Sequence, residues 1–319
     1  MLTLTMRPYG GEADNDAIAH LFNTCAAFDR VDRWMSVNDV RLAFEMPSFD
    51  PTRDMRLWED AEGNLIGIGG MRILESGEEI DASFWFCVHP NACDRELGRQ
   101  IIVWGEQRMR EVDPKPGVRV KLLCGSRDDN KLRIALLESC GFTSERFILD
   151  MERSLLVPFP RPQFPEGFTL RNSQGEPDSE AWIEMRNQSC IDHWNYHAWT
   201  VDRYRYFLTD THYKPELDLI AVAPDGKFAA FCLCHINPAQ NDKIGRKNGW
   251  INNLGTRRGF RRIGLGRAML LAGLHQLKAA GMETAKLGVD ADNPNGALQL
   301  YESVGFRKVH TNISYFKYV

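Results

Sequence analysis

The two halves of this 319-residue chain carry the same motifs in the same order, and this repeat restricts the possible folds more than any other feature. The clearest match closes each half, where DDNKLRIALLESCGF (residues 128–142) corresponds to DNPNGALQLYESVGF (residues 292–306). Earlier in each half, two strand patterns flank a turn that contains Asp and Gly, in residues 56–73 and 217–236. Self-similarity of this kind predicts two copies of one fold.

A proline-rich segment separates the two copies. LVPFPRPQFP (residues 156–165) has four prolines, which suit neither a helix interior nor a central strand. We therefore predict an N-terminal domain of residues 1–155, an extended linker of residues 156–165 and a C-terminal domain of residues 166–319. Within each copy, strands and helices follow in an order that predicts a mixed α/β sheet with helices on both faces.

Composition narrows the class of protein. Hydrophobic residues make up 43% of the chain, which is enough to bury a substantial core. The formal net charge of −4 argues against nucleic acid as the main partner. The sequence has no apolar run of about 18 residues, and its first residues lack the charged and apolar regions of a signal peptide. We therefore expect a soluble cytoplasmic protein that binds neither membranes nor nucleic acids.

Eight cysteines are scattered through apolar segments, which is typical of reduced, packed thiols. The alternative is a metal site that begins at Cys232 and Cys234, but no second pair follows at a spacing suited to zinc. Strand alternation places these two thiols on one face of a predicted strand. We therefore predict core thiols and no metal site.

The segment Arg261-Arg262-Ile263-Gly264-Leu265-Gly266 lies between a predicted strand and a long predicted helix. A helix N-terminus offers N–H groups without partners and a partial positive charge. Gly264 and Gly266 allow an anion to approach the backbone, and Arg261 adds charge-assisted hydrogen bonds. The segment is therefore predicted to bind a pyrophosphate, with glycines that only shape a tight turn as the alternative.

The spacing within this segment distinguishes between phosphate-binding motifs. Neither the Gly-x-Gly-x-x-Gly fingerprint nor the P-loop pattern is present. Arg-x-x-Gly-x-Gly between a strand and a helix resembles the acetyl-CoA pyrophosphate signature of the GCN5-related N-acetyltransferase (GNAT) family. LGVDADNPNGALQLYESVGF (residues 287–306) resembles the second conserved block of that family. With the internal repeat, the resemblance implies two tandem GNAT folds, each a mixed, mostly antiparallel sheet flanked by helices on both faces.

The resemblance implies an acetyl-CoA site in the second copy. The backbone of Leu254, Gly255 and Thr256 would pair with the pantetheine arm where the strand splays, and Asn293 would contact the same arm. Simpler interpretations stay open: strand packing for residues 254–256, a helix cap for Asn293 and a surface charge for Arg262. The residues that would hold the pyrophosphate are Arg261, Arg262, Ile263, Gly264, Leu265, Gly266 and Arg267.

The same resemblance implies transfer of the acetyl group to an amine. The amine must lose a proton, and the CoA thiolate leaves more easily if it is protonated as it departs. Tyr301 is the candidate general acid, with simple packing on the apolar face of its short helix as the alternative. The general base stays open, because Asn252, His235 and His193 are candidates by residue type alone.

Acceptor recognition is assigned to the aromatic segment SCIDHWNYHAWTVDRYRYF (residues 189–207), which lies where the first helices of the family cover the acceptor pocket. His193 and Trp194 from this segment, together with Asn252, are the predicted substrate contacts. An aromatic helix packed on the sheet would explain the segment equally well. The aromatic content suits a small amine better than a bulky polyanion.

The first copy departs from the cofactor-binding pattern. Carboxylates repel an anion, and Glu does not allow the close backbone approach that Gly allows. The first copy is therefore predicted to bind no cofactor and to serve as scaffold or as a wall of the substrate site, with an intact but divergent site as the alternative. The replacements are Cys93 for the leading Arg, Glu96 for the first Gly, Asp129 for Asn293 and Leu137 for Tyr301.

These observations predict an N-acetyltransferase that moves the acetyl group of acetyl-CoA to a primary amine of a small-molecule acceptor. The amine would attack the thioester directly, in the C-terminal domain. A non-catalytic acyl-CoA-binding or regulatory module is the alternative, and it would have no need of Tyr301. We expect a monomer or a homodimer.

Overall fold

The structure is a computed structural model. It describes residues 4–47, 49–75, 79–92, 95–112 and 117–319. Within these ranges, no helix is both long enough and apolar enough to cross a lipid bilayer.

Two compact units make up the chain, and their boundaries differ from those predicted from the sequence. The first unit contains Met1–Phe147 and Asn312–Val319, and the second contains Ile148–Thr311. The sequence-based division was 1–155 and 166–319. The difference arises because the last strand of each half of the chain contributes residues to the sheet of the other unit.

The first unit follows the predicted order of strands and helices. Its helix α2 begins with a capping box, in which Ser36 and Asp39 satisfy each other's backbone N–H groups. Its strands are β1 (Thr5–Pro8), β2 (Met55–Glu59), β3 (Leu65–Glu75), β4 (Glu79–Val88) and β5 (Arg119–Arg127). Its helices are α1 (Asn15–Phe28), α2 (Val37–Phe44), α3 (Pro51–Asp54), α4 (Arg95–Arg110) and α5 (Lys131–Ser139).

Strands β1 to β5 lie side by side in sequence order, and residues 312–318 close the sheet by pairing antiparallel to β5. β4 and β5 are parallel, but they pair only over residues 79–83 and 119–123. Both strands continue beyond these residues, so they separate at their carboxyl ends.

The second unit repeats this arrangement. Its strands are residues 148–154 of β6 (Thr143–Ser154), then β7 (Thr169–Asn172), β8 (Asp218–Val222), β9 (Phe228–His235), β10 (Asn248–Thr256) and β11 (Thr284–Asp290). Its helices are α6 (Ser179–Cys190), α7 (Val201–Leu208), α8 (Pro238–Ile244), α9 (Leu265–Ala279) and α10 (Ala297–Ser303). The last strand of the chain, β12 (Arg307–Tyr318), begins in this unit.

The sheet of the second unit runs in the order β7, β8, β9, β10 and β11, followed by residues 148–154. Only β10 and β11 are parallel, and they pair over residues 248–250 and 284–286. The mixed, mostly antiparallel sheet predicted from the sequence is therefore confirmed in both units.

Alternation along β9 explains why helices cover both faces of this sheet. Phe231 lies in a cluster with Trp182 of α6 and Tyr204 of α7, and all three side chains are fully buried. Cys232 and Cys234 point to the opposite face and lie in the cluster formed with α9. Burial of each large side chain contributes roughly 1.5–3 kcal/mol. The two thiols are buried in the core, as predicted.

A matching ion pair begins both units. Arg7 donates two hydrogen bonds of 2.8 Å to the carboxylate of Asp14. Arg171 donates bonds of 2.7 and 2.8 Å to Asp178, at the equivalent positions 164 residues later. Such bidentate pairs fix geometry as well as adding energy. The internal repeat is therefore a structural repeat.

The proline-rich segment lies within the second unit, because it joins residues 148–154 to β7. The Phe159 ring packs on His275 of α9, with centroids 4.5 Å apart, and His275 Nε2 donates to the carbonyl of Pro160 at 2.9 Å. The guanidinium of Arg153 lies 4.5 Å from the Phe159 ring. The segment contains no helix or strand, and Phe159 and Phe164 pack on the core of the second unit.

Candidate active site

A cleft of about 510 Å³ opens in the second unit where β10 and β11 separate. The first residues of α9 form one wall of the cleft, and the start of α10 forms another. β10 and β11 pair only as far as Trp250 and Lys286, and a β-bulge follows in β10 between Ile251 and Asn253. The bulge increases the local twist, which turns the end of β10 away from β11.

The splayed end of β10 provides backbone groups along the cleft. Leu254, Gly255 and Thr256 pair with β9 along one edge of the strand and line the cleft. Packing explains why residue 255 is a glycine, because a Cβ atom there would lie 2.5 Å from the Phe231 ring and 2.8 Å from Ser189 Cβ. Both interpretations of these residues, strand packing and a backbone edge for an extended ligand, therefore fit the geometry.

The N-terminus of α9 opens onto the cleft. Its N-cap is Gly264, with φ of 86°, and no side chain caps the helix. The first hydrogen bond along the helix runs from Ala268 N to Gly264 O at 3.1 Å, so the preceding amides of the first turn are available to an anion. The positive φ explains Gly264, since other residues adopt this conformation at a cost. A Cβ atom at Gly266 would lie 3.2 Å from Thr256 Oγ1, so this glycine keeps the turn close to β10.

Arg261 is held by four acceptors. Its Nε donates to the carbonyl of Thr256 at 3.0 Å, and Nη2 donates to the carbonyl of Ser189 at 3.0 Å. Its Nη1 donates to the carboxylate of Asp192 at 2.6 Å and to Asn295 Oδ1 at 3.0 Å. These contacts fix a guanidinium at the cleft wall without a ligand, which lowers the entropy lost on anion binding.

Asp192 balances the positive charge around this turn. Hydrogen bonds from Arg258 and Arg261 lower the pKa of the Asp192 carboxyl to about 2. Arg262 has a φ of 66° and donates to the carbonyl of Asn295 at 3.3 Å, while Arg267 donates to Ser303 Oγ at 2.6 Å. Both of these arginines line the cleft, and Arg262 is exposed.

Asn293 lies in the turn between β11 and α10. Its Oδ1 accepts a hydrogen bond from Asn295 N at 2.9 Å, which is the local role expected of an Asn before a helix. The residue also lines the cleft. This bond closes a turn ahead of α10, whose N-cap is Gly296 without a side-chain cap, so Asn293 does not cap the helix. A cofactor contact of Asn293 stays a prediction.

Tyr301 is buried at the base of the cleft, on the face of α10 that packs on the sheet. Its ring packs edge to face on Phe306, with centroids 6.0 Å apart. Within the described ranges, its hydroxyl makes no hydrogen bond to the protein. Burial raises the pKa of Tyr301 well above its usual range. A buried phenol normally has a partner, so this hydroxyl is a donor available to a ligand in the cleft.

His193 and Trp194 line the cleft from the segment after α6. His193 keeps a large part of its surface in solvent, but the surrounding protein and the guanidinium groups of Arg186 and Arg261 lower its pKa. The imidazole is therefore mostly neutral at pH 7. Trp199, from the same aromatic segment, packs on Trp182 with centroids 6.1 Å apart and belongs to the core. The aromatic segment thus divides between packing and the cleft.

Three predicted residues do not line the cleft. Leu265 is 1% exposed because its side chain points into the core, and Ile263 is 48% exposed. Asn252 occupies the β-bulge and is exposed to solvent. The twelve predicted residues that do line it are His193, Trp194, Leu254, Gly255, Thr256, Arg261, Arg262, Gly264, Gly266, Arg267, Asn293 and Tyr301.

The structure adds contacts that the sequence did not indicate. Asp192 and Asn295 hold Arg261, and the carbonyl of Ser189 completes its set of acceptors. These residues are distant in sequence from Arg261, so no local spacing marks them. Within the described ranges, no group of three or more His, Cys, Asp or Glu side chains is placed to hold a metal ion.

The equivalent groove of the first unit holds about 150 Å³. Arg133, which corresponds to Ala297, extends across the gap between β4 and β5. Its Nε donates to the carbonyl of Gly125 at 2.8 Å and its Nη1 to the carbonyl of Phe86 at 3.2 Å. The guanidinium lies 3.8 Å from the Phe86 ring. The protein's own side chain therefore occupies the splayed edges of these strands.

Three of the other four residues that replace the cofactor-binding pattern in the first unit lie within the described ranges. Leu137, at the position of Tyr301, is fully buried, and Asp129 forms an ion pair with Arg127. Glu96 is exposed in the first turn of α4. Cys93 lies outside the described residues.

Comparisons with known proteins identify the family. The family model described as the acetyltransferase (GNAT) family matches residues 179–306. A mycothiol acetyltransferase of Thermobispora bispora is 29% identical over 302 residues, which cover 95% of each chain. A mycothiol acetyltransferase of Kineococcus radiotolerans is 31% identical over 256 residues, which cover 80% of this chain and 78% of that protein.

The fold also matches a solved structure along its whole length. A tandem GNAT protein from the clavulanic acid biosynthesis pathway superposes with a TM-score of 0.73 and 15% identity, over 99% of this chain and 98% of the other. The fold and the enzyme class predicted from the sequence are confirmed, and the protein is an acetyltransferase. The chain belongs to the GNAT family as a member with two tandem copies of the fold.

Proposed function

We propose that the second unit binds acetyl-CoA in its cleft and transfers the acetyl group to a primary amine of a small molecule. The observation that carries this proposal is the cleft itself. It combines the uncapped N-terminus of α9, the splayed backbone edge of β10 and the Tyr301 hydroxyl along one continuous surface. The first two would bind a pyrophosphate and an extended arm, and the third would meet the thioester.

The chemistry follows from these positions. The amine nitrogen attacks the thioester carbon, the carbon–nitrogen bond forms, and the carbon–sulfur bond breaks as the tetrahedral intermediate collapses. Tyr301 keeps its proton at neutral pH because burial raises its pKa. Its hydroxyl would donate a hydrogen bond to the sulfur as negative charge develops there, and the proton would follow as the thiol departs.

His193 is the cleft residue best suited to accept the proton that the amine releases. Its lowered pKa leaves the imidazole neutral at pH 7, which a base requires. It reaches the substrate from the segment that the family resemblance places over the acceptor. Asn252 has no basic nitrogen and is exposed in the bulge, and His235 is not a cleft residue.

We further propose that the chain binds one acetyl-CoA. Arg133 occupies the groove of the first unit, and Leu137 provides no hydroxyl there. The relatives are named for acetylation of mycothiol, so the unacetylated form of mycothiol is the first acceptor to test.

The test is a steady-state assay with acetyl-CoA and a panel of primary amines that includes this acceptor. Release of free thiol reports turnover, and mass spectrometry identifies the acetylated nitrogen. We expect acetylation of a primary amine, with acceptor-independent thiol release as the baseline. Binding of acetyl-CoA without an acetylated product for any amine would contradict the proposed reaction.

A further inference from the structure

The first unit contains a second cavity, of about 460 Å³, which lies beside its occupied groove and has no part in the proposed reaction. Its volume lies within the range of small-molecule sites, about 300–1,000 Å³. Most of its wall is aromatic or aliphatic. The main apolar residues are Phe22, Met35, Phe44, Phe49, Trp85 and Phe86.

The aromatic wall is ordered by ring contacts. The Trp85 ring lies 5.7 Å from the Phe22 ring and 6.4 Å from the Phe44 ring, to which it is nearly parallel. Phe44 also contacts Tyr9 edge to face, with centroids 5.4 Å apart. Gly70 belongs to this arrangement because a Cβ atom there would lie 2.3 Å from the Trp85 ring. The wall is therefore preformed and suits a flat or branched apolar group.

Arg72 lines this apolar cavity with little compensation for its charge. Its Nη1 donates to the sulfur of Met46 at 3.2 Å, which is a weak acceptor. Its Nε is fully buried and has no hydrogen-bond partner. Burial lowers the pKa of Arg72, and no carboxylate contributes to the shift. A guanidinium in such a setting is costly unless an anion pairs with it.

Two other charged residues line the cavity, and neither neutralises Arg72. The carboxylate of Asp29 accepts a hydrogen bond from Asn130 Nδ2 at 3.4 Å, and it lies in the field of Arg127 and Arg133. Arg33 is exposed. The cavity therefore presents the partly buried Arg72 on a largely apolar wall, with the exposed Asp29 and Arg33 as its other charged residues. This arrangement complements a ligand with one negative charge and an apolar body.

We propose that this cavity is a binding site for a small organic monocarboxylate with an aromatic or branched aliphatic body. The carboxylate would accept charge-assisted hydrogen bonds from Arg72, and the apolar body would lie against Trp85 and Phe44. A fork of N–H donors matches the two oxygens of a carboxylate. The site lies in the first unit, so it is independent of the acetyl-CoA site proposed in the second.

The test is calorimetric titration of the full-length protein with phenylacetate, isovalerate, phenylacetamide and inorganic phosphate. Phenylacetamide keeps the ring without the charge, and phosphate keeps the charge without the apolar body. We expect saturable binding of the two carboxylates. The amide and phosphate should bind at least about tenfold more weakly, the range expected for losing a charged hydrogen bond or the apolar contact.

Variants locate the binding. Arg72→Met should weaken phenylacetate binding at least about tenfold, while Arg110→Met removes an exposed charge of the same unit and should leave it unchanged. Ala26→Phe narrows the cavity from α1 and keeps Arg72, so it decides the question if Arg72→Met fails to fold. Failure of both carboxylates to bind, or equal binding of phenylacetate to wild type and Ala26→Phe, would overturn the proposal. So would equal affinity for phenylacetate and phenylacetamide.

Discussion

The two units share a skeleton but differ in what lies between their separated parallel strands. In the second unit the gap between β10 and β11 is an open cleft of about 510 Å³. In the first unit the gap between β4 and β5 is crossed by Arg133, which bonds to backbone carbonyls on both strands, and about 150 Å³ remains. The fold therefore supplies the gap, and the side chains decide whether a ligand can enter it.

Helix packing strengthens the same contrast. A Cβ atom at Gly98 of the first unit would lie 2.5 Å from Leu136, whereas one at Gly266 would lie 3.9 Å from the equivalent Leu300. The helix after the gap thus approaches the opposite wall more closely in the first unit. The closer packing in the first unit stabilises the fold through dispersion contacts.

The largest expected effect is on the solubility of fragments, which depends on the residue at which the chain is cut. A fragment of residues 165–319 lacks residues 148–154, which pair with β11 through seven residue pairs and include the core residue Met151. It also lacks the core residue Leu155. It also retains residues 312–318 without β5, their partner in the first unit. Unpaired strand edges favour aggregation. We expect this fragment to be insoluble.

The matched control is a fragment of residues 148–311, which contains every residue of the second unit. We expect it to show α/β secondary structure by circular dichroism and a cooperative unfolding transition. Equal solubility of the two fragments would mean that the unit boundary at residue 148 has no bearing on folding.

The next prediction tests whether the open cleft binds acetyl-CoA. Gly264→Glu places a carboxylate at the N-terminus of α9, as Glu96 does in the first unit, and its repulsion should abolish acetyl-CoA binding in a calorimetric titration. Gly259→Glu is the control, because both glycines have positive φ and open space at Cβ. Each variant carries a backbone cost of roughly 1–2 kcal/mol, but only Gly264 lines the cleft. Two binding sites per wild-type chain would contradict the asymmetry between the units.

Tyr301→Phe tests the residue that distinguishes the second unit chemically. The variant keeps the ring and its contact with Phe306 but loses the hydroxyl. We expect kcat to fall by roughly ten- to a thousandfold while the affinity for acetyl-CoA stays nearly unchanged. Tyr315→Phe, which removes a buried phenol from the first unit, should leave kcat at the wild-type value. Wild-type turnover in Tyr301→Phe would make Tyr301 a packing residue.

Much of this contrast could be predicted from the sequence. The repeat, the mixed sheet and the glycine turn before α9 each depend on local patterns, such as period-two alternation and glycines at a helix start. Leu137 at the position of Tyr301 is equally local, because the two closing segments align without gaps. Such features are visible in sequence because the residues that cause them are neighbours in the chain.

The features that could not be predicted from the sequence depend on contacts between residues that are distant in the chain. Alternation identifies residues 148–154 and 312–318 as strands but does not say which sheet they join. Arg133 is an ordinary helix residue by sequence, and only the structure shows its bonds to Phe86 and Gly125. Asp192 likewise meets Arg261 across 69 residues. The side chains that fill or shape each gap were therefore beyond prediction.

Ala297→Arg transfers the occupied groove of the first unit to the second. The new guanidinium should extend between β10 and β11, as Arg133 does between β4 and β5, and compete with the pantetheine arm for backbone groups. We expect the affinity for acetyl-CoA to fall at least about tenfold in a calorimetric titration. Gln299→Arg adds the same charge on the exposed side of α10 and should leave the affinity unchanged. Equal affinities of the two variants would show that Arg133 does not close the groove of the first unit.

The smallest expected effect is on the pH dependence of stability, and it arises at Asp218. This buried carboxyl lies at the first position of β8, where the equivalent strand β2 of the first unit has Met55. Burial raises the pKa of the Asp218 carboxyl to about 6, whereas an unfolded Asp titrates near pH ~3.9. Between these values the folded protein keeps a proton that the unfolded chain has lost, so the free energy of unfolding falls by about 3 kcal/mol as pH rises.

Asp218→Asn removes this dependence. Its midpoint of thermal unfolding, relative to wild type, should therefore increase by several degrees between pH ~4 and pH ~7. Asp225→Asn is the control with opposite sign, because Lys227 lowers the pKa of that exposed carboxyl. A relative midpoint for Asp218→Asn that is independent of pH would show that Asp218 ionises as readily in the fold as in the unfolded chain.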